Sequence, residues 1–483
     1  MVGPDYRRAR AIISPQFKEL RPAPGWQRAT PAMAELDRSG WWRIYDDPVL
    51  DRLEAQVRLS NQNVKVFEAN FRTAQAIVDE ARSSLFPTLN ASPSIARNES
   101  GVGRSSGRAG FGKNSFASTT YQAEGTASWD LDVWGRIRRQ VESDVAAAQV
   151  SAADLAGGTL SYQATLASDY FSLRAQDQLQ DLLDRSIAGY ERSLRITQNQ
   201  YDAGLTTATP IALLQARTLL EQTRAQAINV GILRAQYEHA IAVLTGRPPA
   251  ELGLGPAPLT RFVPAIPVVL PATLLQRRPD IAAAERAMQQ QNALIGVQVA
   301  AFFPDVSLSA AYGYSGNPIG SLIQTANRFW SLGANATEIL FQGGLRSAAL
   351  DQVRSQYDAS VASYRQTVLT ALQVVEDDLS GLRILAQQAE AQARAVALAE
   401  EAVTVALNEY QAGVIDYTTV VTSEVTALNN EQTALSIQQQ RLIDSVSLIQ
   451  QMGGGWTEAD LPSRNSLQAN NPLIPAFLER RRN

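Results

Sequence analysis

Few residues in this chain are of a kind that does covalent chemistry. None of the 483 residues is cysteine, so neither disulfides nor thiolate metal sites can form. The one histidine, His239, can complete neither a catalytic triad nor a metal cluster and is read as structural. A phosphate-cradling loop is nearly spelled by Gly107-Arg-Ala-Gly-Phe-Gly112-Lys113-Asn114. Asn114 stands where that motif needs Ser or Thr, and the segment lies between two strands, not between a strand and a helix. A glycine-rich surface loop is the better reading. Arg136, Arg138 and Arg139 open a helix, where cations oppose the helix dipole. They are either a solvated face or, beside Trp134, partners for anionic lipid headgroups. Glu376-Asp377-Asp378 reads as a solvated acidic face. Nothing here assembles a catalytic constellation, and neither enzyme activity, a metal nor a cofactor is expected.

The elements that carry these residues are dominated by one pattern. From Gly344 to Ala412 there is no proline and one internal glycine, Gly381. Apolar residues recur every three or four positions: Leu350, Val353, Tyr357, Val361, Tyr364, Val368, Leu372, Val375, Leu379 and Leu382. A helix of that length is about 100 Å long and needs partners along its whole apolar stripe. A second such helix is predicted over 135–203 and ends in a turn at Gly204. Return helices follow to about Gly246 and, in the second case, from Tyr417 to Met452.

The chain repeats itself. Leu85-Phe-Pro-Thr-Leu89 is matched by Phe302-Phe-Pro-Asp-Val306, and Asn199-Gln-Tyr-Asp-Ala-Gly-Leu205 by Asn408-Glu-Tyr-Gln-Ala-Gly-Val414. The predicted plan is therefore an extended segment, 1–47, followed by a first repeat, 48–246. That repeat has a helix over 48–84, a β-hairpin within 85–131, the long helix and its return. A proline-rich irregular linker, 247–279, leads to a second repeat, 280–452, with a hairpin within 303–341 and the long helix 344–412. A tail occupies 453–483. The shorter helices of the first repeat, stacked end to end, come close to the length of the long one they would flank; those of the second repeat fit more loosely.

The hairpins have a different texture. Tyr121, Ala123, Gly125, Ala127, Trp129 and Leu131 alternate with Gln122, Glu124, Thr126, Ser128 and Asp130. Val306, Leu308, Ala310, Tyr312 and Tyr314 alternate likewise, as do Trp330, Leu332, Ala334 and Ala336. These strands approach the 9–11 residues that cross a bilayer, where an open sheet cannot survive. Four strands cannot enclose a channel, so membrane strands would require copies to pool their hairpins. Tyr121, Trp129, Trp134, Tyr312, Tyr314, Phe329 and Trp330 would suit an interfacial aromatic girdle. No run of apolar residues is long enough for a transmembrane helix, and the start MVGPDYRRAR lacks the apolar core of a signal peptide. The chain is then cytoplasmic or a processed form. With 43 Lys+Arg against 47 Asp+Glu, nucleic acid is not an expected partner.

Taken together, VGPDYRR, GWWRIYDDPVLDRL, SLFPTLNAS, SWDLDVWGRIRRQ, LLQRRPDIAAAE, IGVQVAAFFPDVSLSAAYGYSG and the two turns YDAGLTTATPIALLQA and YQAGVIDYTTVV resemble the TolC-like outer-membrane efflux family. Within it they resemble the lipoprotein branch paired with resistance-nodulation-division pumps. The resemblance implies a mainly α chain with a small membrane β part. Three chains would share a 12-stranded β-barrel, continuous with a long antiparallel α-helical barrel in the periplasm. It implies a homotrimer embedded in outer-membrane lipid, serving as a passive exit duct for small toxic compounds. A periplasmic adaptor would link it to the energised inner-membrane pump. The branch begins its mature chain with a lipid-bearing cysteine beside a VGPDY-like motif. Met1 stands at about that place, which reads as an engineered or truncated start of a natively lipid-anchored protein.

The resemblance also assigns sites. The tips Gly204, Leu205, Thr206, Thr209, Gly413, Val414 and Ile415 would meet the adaptor. The family often places an acidic gate residue nine positions after the second tip glycine, where this chain has Thr422. The gate candidates are therefore Asp416, Thr419, Thr422 and Glu424, with Asp416 equally readable as a helix N-cap. Two other readings stay open: a related duct for secreted proteins, and a soluble coiled-coil scaffold without membrane strands.

Overall fold

A computed structural model describes residues 1–19, 40–100, 116–204, 209–266 and 271–468. The glycine-rich loop with Gly107 and Asn114 lies outside the described residues, as do tip residues Leu205 and Thr206. In chain order the elements are α1 (Pro48–Ser60), α2 (Gln62–Ser83), β1 (Thr88–Ser100), β2 (Phe116–Leu131), α3 (Arg136–Asp202) and α4 (Pro210–Leu244). Then come α5 (Pro271–Arg277), α6 (Pro279–Ala300), β3 (Asp305–Gly316), β4 (Arg328–Thr337), α7 (Leu345–Gln411), α8 (Tyr417–Gln451) and α9 (Arg464–Leu467).

The internal repeat is written in the helix lengths. α2, α3 and α4 have 22, 67 and 35 residues, and α6, α7 and α8 have 22, 67 and 35. Each long helix spans about 100 Å. α2 and α4 both lie along α3, α6 and α8 along α7, and α6 also packs on α3. All ten apolar stripe residues of α7 are buried or half-buried, as a one-sided helix packed along its length requires.

The short helices meet end to end. Asn61 Nδ2 donates to the Leu244 carbonyl at 2.8 Å where α4 ends beside the start of α2. Arg278 donates to the Gln451 carbonyl at 2.9 Å at the matching junction of α6 and α8. Gly453, at φ +92°, passes so close to the Arg277 carbonyl that a side chain there would collide with it.

Sequence reading expects one helix over 48–84, but the chain breaks at Asn61. Its carboxamide oxygen caps α2, accepting from the Asn63 and Val64 amides at 2.9 and 3.2 Å. The same side chain holds α4, so two helix ends are satisfied by one buried amide. The linker is likewise not wholly irregular. It contains α5, and Pro279 opens α6, a position where proline is suited to a first turn.

Every strand attaches at one end of the helical array and both helix-to-helix turns lie at the other. The two hairpins join: β2 pairs with β3, giving one antiparallel sheet in the order β1-β2-β3-β4. The largest core cluster surrounds Trp41, Leu50, Leu53, Leu166, Tyr170, Phe171 and Ile241, far from the sheet. Asp47 fixes α1 against it, capping Val49 and Leu50 and accepting a 2.6 Å hydrogen bond from the Tyr170 hydroxyl.

Candidate functional site

The register of the sheet decides what each face presents. Ala127 opposes Leu89 and Ala310, Gly125 opposes Ala91 and Tyr312, and Tyr121 opposes Ile95. Tyr312 in turn opposes Trp330, Ala310 opposes Leu332, and Leu308 opposes Ala334. One face therefore carries Leu89, Ile95, Tyr121, Trp129, Leu308, Tyr312, Tyr314, Trp330 and Leu332, across all four strands. The other carries Asn90, Ser92, Gln122, Glu124, Thr126, Ser128, Ser307, Ser309, Asn335 and Thr337. Antiparallel pairing keeps directly opposed residues on one side, so four separate alternations add into one apolar surface. That surface is uncovered: Leu89 is 78%, Leu332 75% and Trp330 67% exposed. β1 and β4 also leave one edge each unpaired within the chain.

Six of the seven predicted girdle aromatics fit this picture or its border. Tyr121, Trp129, Tyr312, Tyr314 and Trp330 are on the apolar face. Trp134 lies beyond β2, where its ring stacks on Phe303 at 4.7 Å and its indole donates to the Pro304 carbonyl at 2.9 Å. Trp129 makes a bond of the same kind within the first repeat, its indole donating to the Leu85 carbonyl at 3.0 Å. Phe329 does not fit. It opposes Gly313 and belongs to the polar face, with its ring lying over that glycine. Its position one residue before Trp330 forces this, because the side-chain period of a strand is two.

At the far end, both turns use glycine in the left-handed region. Gly204 has φ +76° and Gly413 φ +74°. The Val414 amide bonds back to the Glu409 carbonyl at 2.9 Å and the Gly413 amide to Tyr410 at 3.0 Å, closing α7 as a Schellman motif. Among the tip candidates, Val414 is 72% exposed, whereas Ile415 packs with Ala212, Tyr410, Tyr417 and Val420. Thr209 already serves its own helix, accepting from the Ala212 amide at 3.2 Å as the N-cap of α4.

The gate candidates separate. Asp416, Thr419 and Thr422 are exposed along the start of α8. Asp416 stands at the N-cap position but accepts no capping hydrogen bond from the helix. Glu424 faces the other way. It is buried against α3, where one carboxylate oxygen accepts a 2.6 Å bond from the Ser193 hydroxyl and the other lacks a partner. Its inclusion with the exposed three is thus corrected: two residues past Thr422 is more than half a helical turn, enough to reach the packed face. Sequence reasoning missed Ser193, and also Tyr190 and Tyr417, whose phenols lie beside this carboxylate.

Two charged runs also change meaning. Arg139 is buried and bonds Asp5 at 2.8 Å and Glu142 at 2.7 Å, so it is neither solvated nor a lipid contact. Arg138 pairs with Asp132 at 2.9 Å. Glu376 is not idle surface charge, because its carboxylate accepts the backbone amides of Lys18 and Glu19 at 2.6 and 2.9 Å. These contacts lay residues 1–19 as a strap along the helices, starting where the Val2 amide bonds the Trp134 carbonyl at 3.0 Å. The polar residues of VGPDYRR were the available signal. His239 is exposed on α4.

Among the described residues no helix is long and apolar enough to cross a membrane. The chain is 28% identical over 456 residues to the toluene efflux pump outer membrane protein TtgC of Pseudomonas putida, covering 94% of this chain and 92% of that one. It is 29% identical over 422 residues to the pyoverdine export outer membrane protein OpmQ of Pseudomonas aeruginosa, covering 86% and 87%. The solved outer-membrane channel OprN superposes with a TM-score of 0.82 at 29% identity, over 94% of this chain and 99% of OprN. The model of the outer membrane efflux proteins matches residues 53–247 and 270–454, one block per repeat, and the chain belongs to that family.

Proposed function

We propose that three copies of this chain close their sheets into one 12-stranded barrel and their helices into one tube, forming the passive outer-membrane duct of a tripartite efflux pump. The observation that carries this reading is the sheet with one uncovered apolar face, one polar face and two open edges. In hydrocarbon an open edge leaves backbone groups unsatisfied at several kcal/mol each. Joining β4 of one copy to β1 of the next removes both edges. Three copies give a barrel wide enough for an aqueous lumen, where eight strands would leave an interior just filled by side chains. The apolar face then meets lipid and the polar face lines the exit.

The tips, about 100 Å away, are the periplasmic mouth. Val414 and its neighbours meet a periplasmic adaptor, which couples the duct to an inner-membrane pump of the resistance-nodulation-division type. Asp416, Thr419 and Thr422 line the narrow end. The duct itself does no energetic work; it holds a water-filled path whose cargo the pump selects. Small toxic compounds are the cargo that the named relatives favour, since their names record toluene efflux and pyoverdine export.

Electron microscopy of detergent-purified protein tests the assembly. A threefold tube well over 100 Å long with a detergent belt at one end is expected. Beltless monomers or dimers would refute the shared barrel.

A further inference from the structure

On the reading that three copies share one barrel, the register inside one copy restricts how copies can join. Pro93 of β1 opposes Ala123, Ala123 opposes Tyr314, and Tyr314 opposes Arg328. Pro93 and Arg328 therefore lie at one level on the two free edges of the sheet. Strand direction alternates across it, so β4 of one copy meets β1 of the next antiparallel. Arg328 opposite Pro93 of the next copy would close a barrel without stagger, its strands upright. Closed barrels tilt their strands by about 35–45°, so the partner of Arg328 lies elsewhere on β1.

Face, length and charge choose it. Arg328 shares the apolar face with Trp330 and Leu332, and only the odd-numbered residues of β1 lie on that face. A partner before Pro93 would leave more than half of β4 unpaired, because β1 begins at Thr88. The partners after Pro93 on the same face are Ile95, Arg97 and Glu99. With about 3.3 Å of rise per residue and 4.8 Å between strands, twelve strands so joined tilt by about 20°, 35° and 46° respectively. The first is too upright; the other two are tilts that membrane strands adopt. Arg97 would set two guanidinium groups directly opposite at every seam, and like charges so placed destabilise a sheet. Glu99 sets a carboxylate against Arg328, and both side chains are exposed in the single copy. We propose that β4 of one copy pairs with β1 of the next in the register that puts Arg328 opposite Glu99. All 10 residues of β4 are then paired. Trp330 stands opposite Arg97, where a guanidinium can lie on an indole face. Leu332 stands opposite Ile95 on the lipid side, and Thr337 opposite Asn90 on the lumen side. The charged residues fall at the loop ends of their strands, at the rim of the apolar band and not within it. Ten residues at that tilt rise about 23 Å, close to the ~25 Å band of a membrane barrel.

The chain has no cysteine, so introduced pairs report the register directly. Ala336 opposes Ala91 of the next copy in this register, and Leu89 in the one that sets Arg328 against Arg97. Directly opposed Cβ atoms are about 4.5–5.5 Å apart and diagonal ones about 7 Å, while a disulfide needs about 3.5–4.5 Å. Full-length protein carrying Ala336→Cys with either Ala91→Cys or Leu89→Cys is purified in detergent, oxidised with copper phenanthroline and run on denaturing gels without reductant. The Ala91→Cys pair should give covalent trimer, at roughly fivefold or more the yield of the Leu89→Cys pair. Equal yields, or more trimer from Leu89→Cys, overturn the register and leave the shared barrel standing. Monomer from both pairs also overturns the register. Electron microscopy of the same samples then separates the two failures: a threefold tube keeps the shared barrel, and its absence removes that reading as well. Charge exchange is the second measurement. Arg328→Glu should lower the temperature at which the trimer dissociates by several degrees, and adding Glu99→Arg to it should restore wild-type behaviour. A trimer strengthened by Arg328→Glu alone would put Arg97 opposite and overturn the proposal.

Discussion

Ser193 on α3 and Glu424 on α8 are joined by a 2.6 Å hydrogen bond that ties the two repeats together near the tip. Burial pushes the Glu424 carboxyl up to about 7, with the Ser193 bond opposing the shift. The phenols of Tyr190 and Tyr417, with Glu400, Glu431, Arg185 and Arg192, surround it. The folded state thus prefers the protonated acid, while the unfolded chain titrates near 4.5. Stability is fully present below about 4.5, is lost as pH rises to about 7, and levels off above. The loss is about 3 kcal/mol. Glu424→Gln cannot titrate, so its denaturation midpoints across this window should lose that part of the slope and exceed wild type at pH 8. Parallel slopes in wild type and variant would remove Glu424 as the cause.

The tip turns give a second, local prediction. Among the described residues, alanine at Gly204 or Gly413 meets no atom within 4 Å, so its cost there is the left-handed backbone, about 1–2 kcal/mol. That cost should appear as roughly five- to thirtyfold faster amide exchange at Val414 and its neighbours in Gly413→Ala, with the helical body unaffected. Gly453→Ala differs, because its new methyl would run into the Arg277 carbonyl at the α6–α8 junction. It should destabilise the whole fold, and a loss confined to exchange around Trp456 would contradict this.

Much of this arrangement could be read from residue order, and the failures share a cause. The stripe from Leu350 to Leu382, the tip glycines and the strand alternations are repeated local patterns, and repetition averages out noise. Asn61 fits a helical pattern as well as it fits a break; only the Leu244 carbonyl across the junction decides. Glu424 and Thr422 look equally polar in sequence, and only packing against Ser193 buries one of them. Glu376 in an acidic run looks solvated until the strap amides of Lys18 and Glu19 are seen on it. Each miss depends on a partner hundreds of residues away or on a face assignment one residue wide, as with Phe329.

That face assignment is itself testable in lipid. Leu332→Lys puts a charge on the apolar face, where a barrel pays about 2–4 kcal/mol near the bilayer midplane. Asn335→Lys puts the same charge on the polar face. Refolding into phosphatidylcholine vesicles, followed by protease protection, should fall sharply for Leu332→Lys and stay near wild type for Asn335→Lys. Phe329→Ala should insert normally, since its ring covers Gly313 on the polar side. Equal losses for the two lysine variants would mean that the sheet does not present one face to lipid.

The last prediction concerns the mouth. Asp416 is exposed and makes no capping bond, so its removal should disturb α8 little. In a threefold closed end, three copies of this carboxylate would face one another, bind cations and narrow the path. Asp416→Ala should therefore raise single-channel conductance in planar bilayers and weaken block by divalent cations. Thr422, about one and two-thirds turns further on and also exposed, offers the converse. Thr422→Asp should add a second acidic ring, with conductance reduced by millimolar divalents and restored by chelation or by acid. Glu424→Ala separates the two roles. It should alter the pH dependence of stability, because Glu424 is buried on Ser193, yet leave divalent block as in wild type. Conductance unchanged in both Asp416→Ala and Thr422→Asp would place the constriction elsewhere and remove this stripe of α8 from the gate.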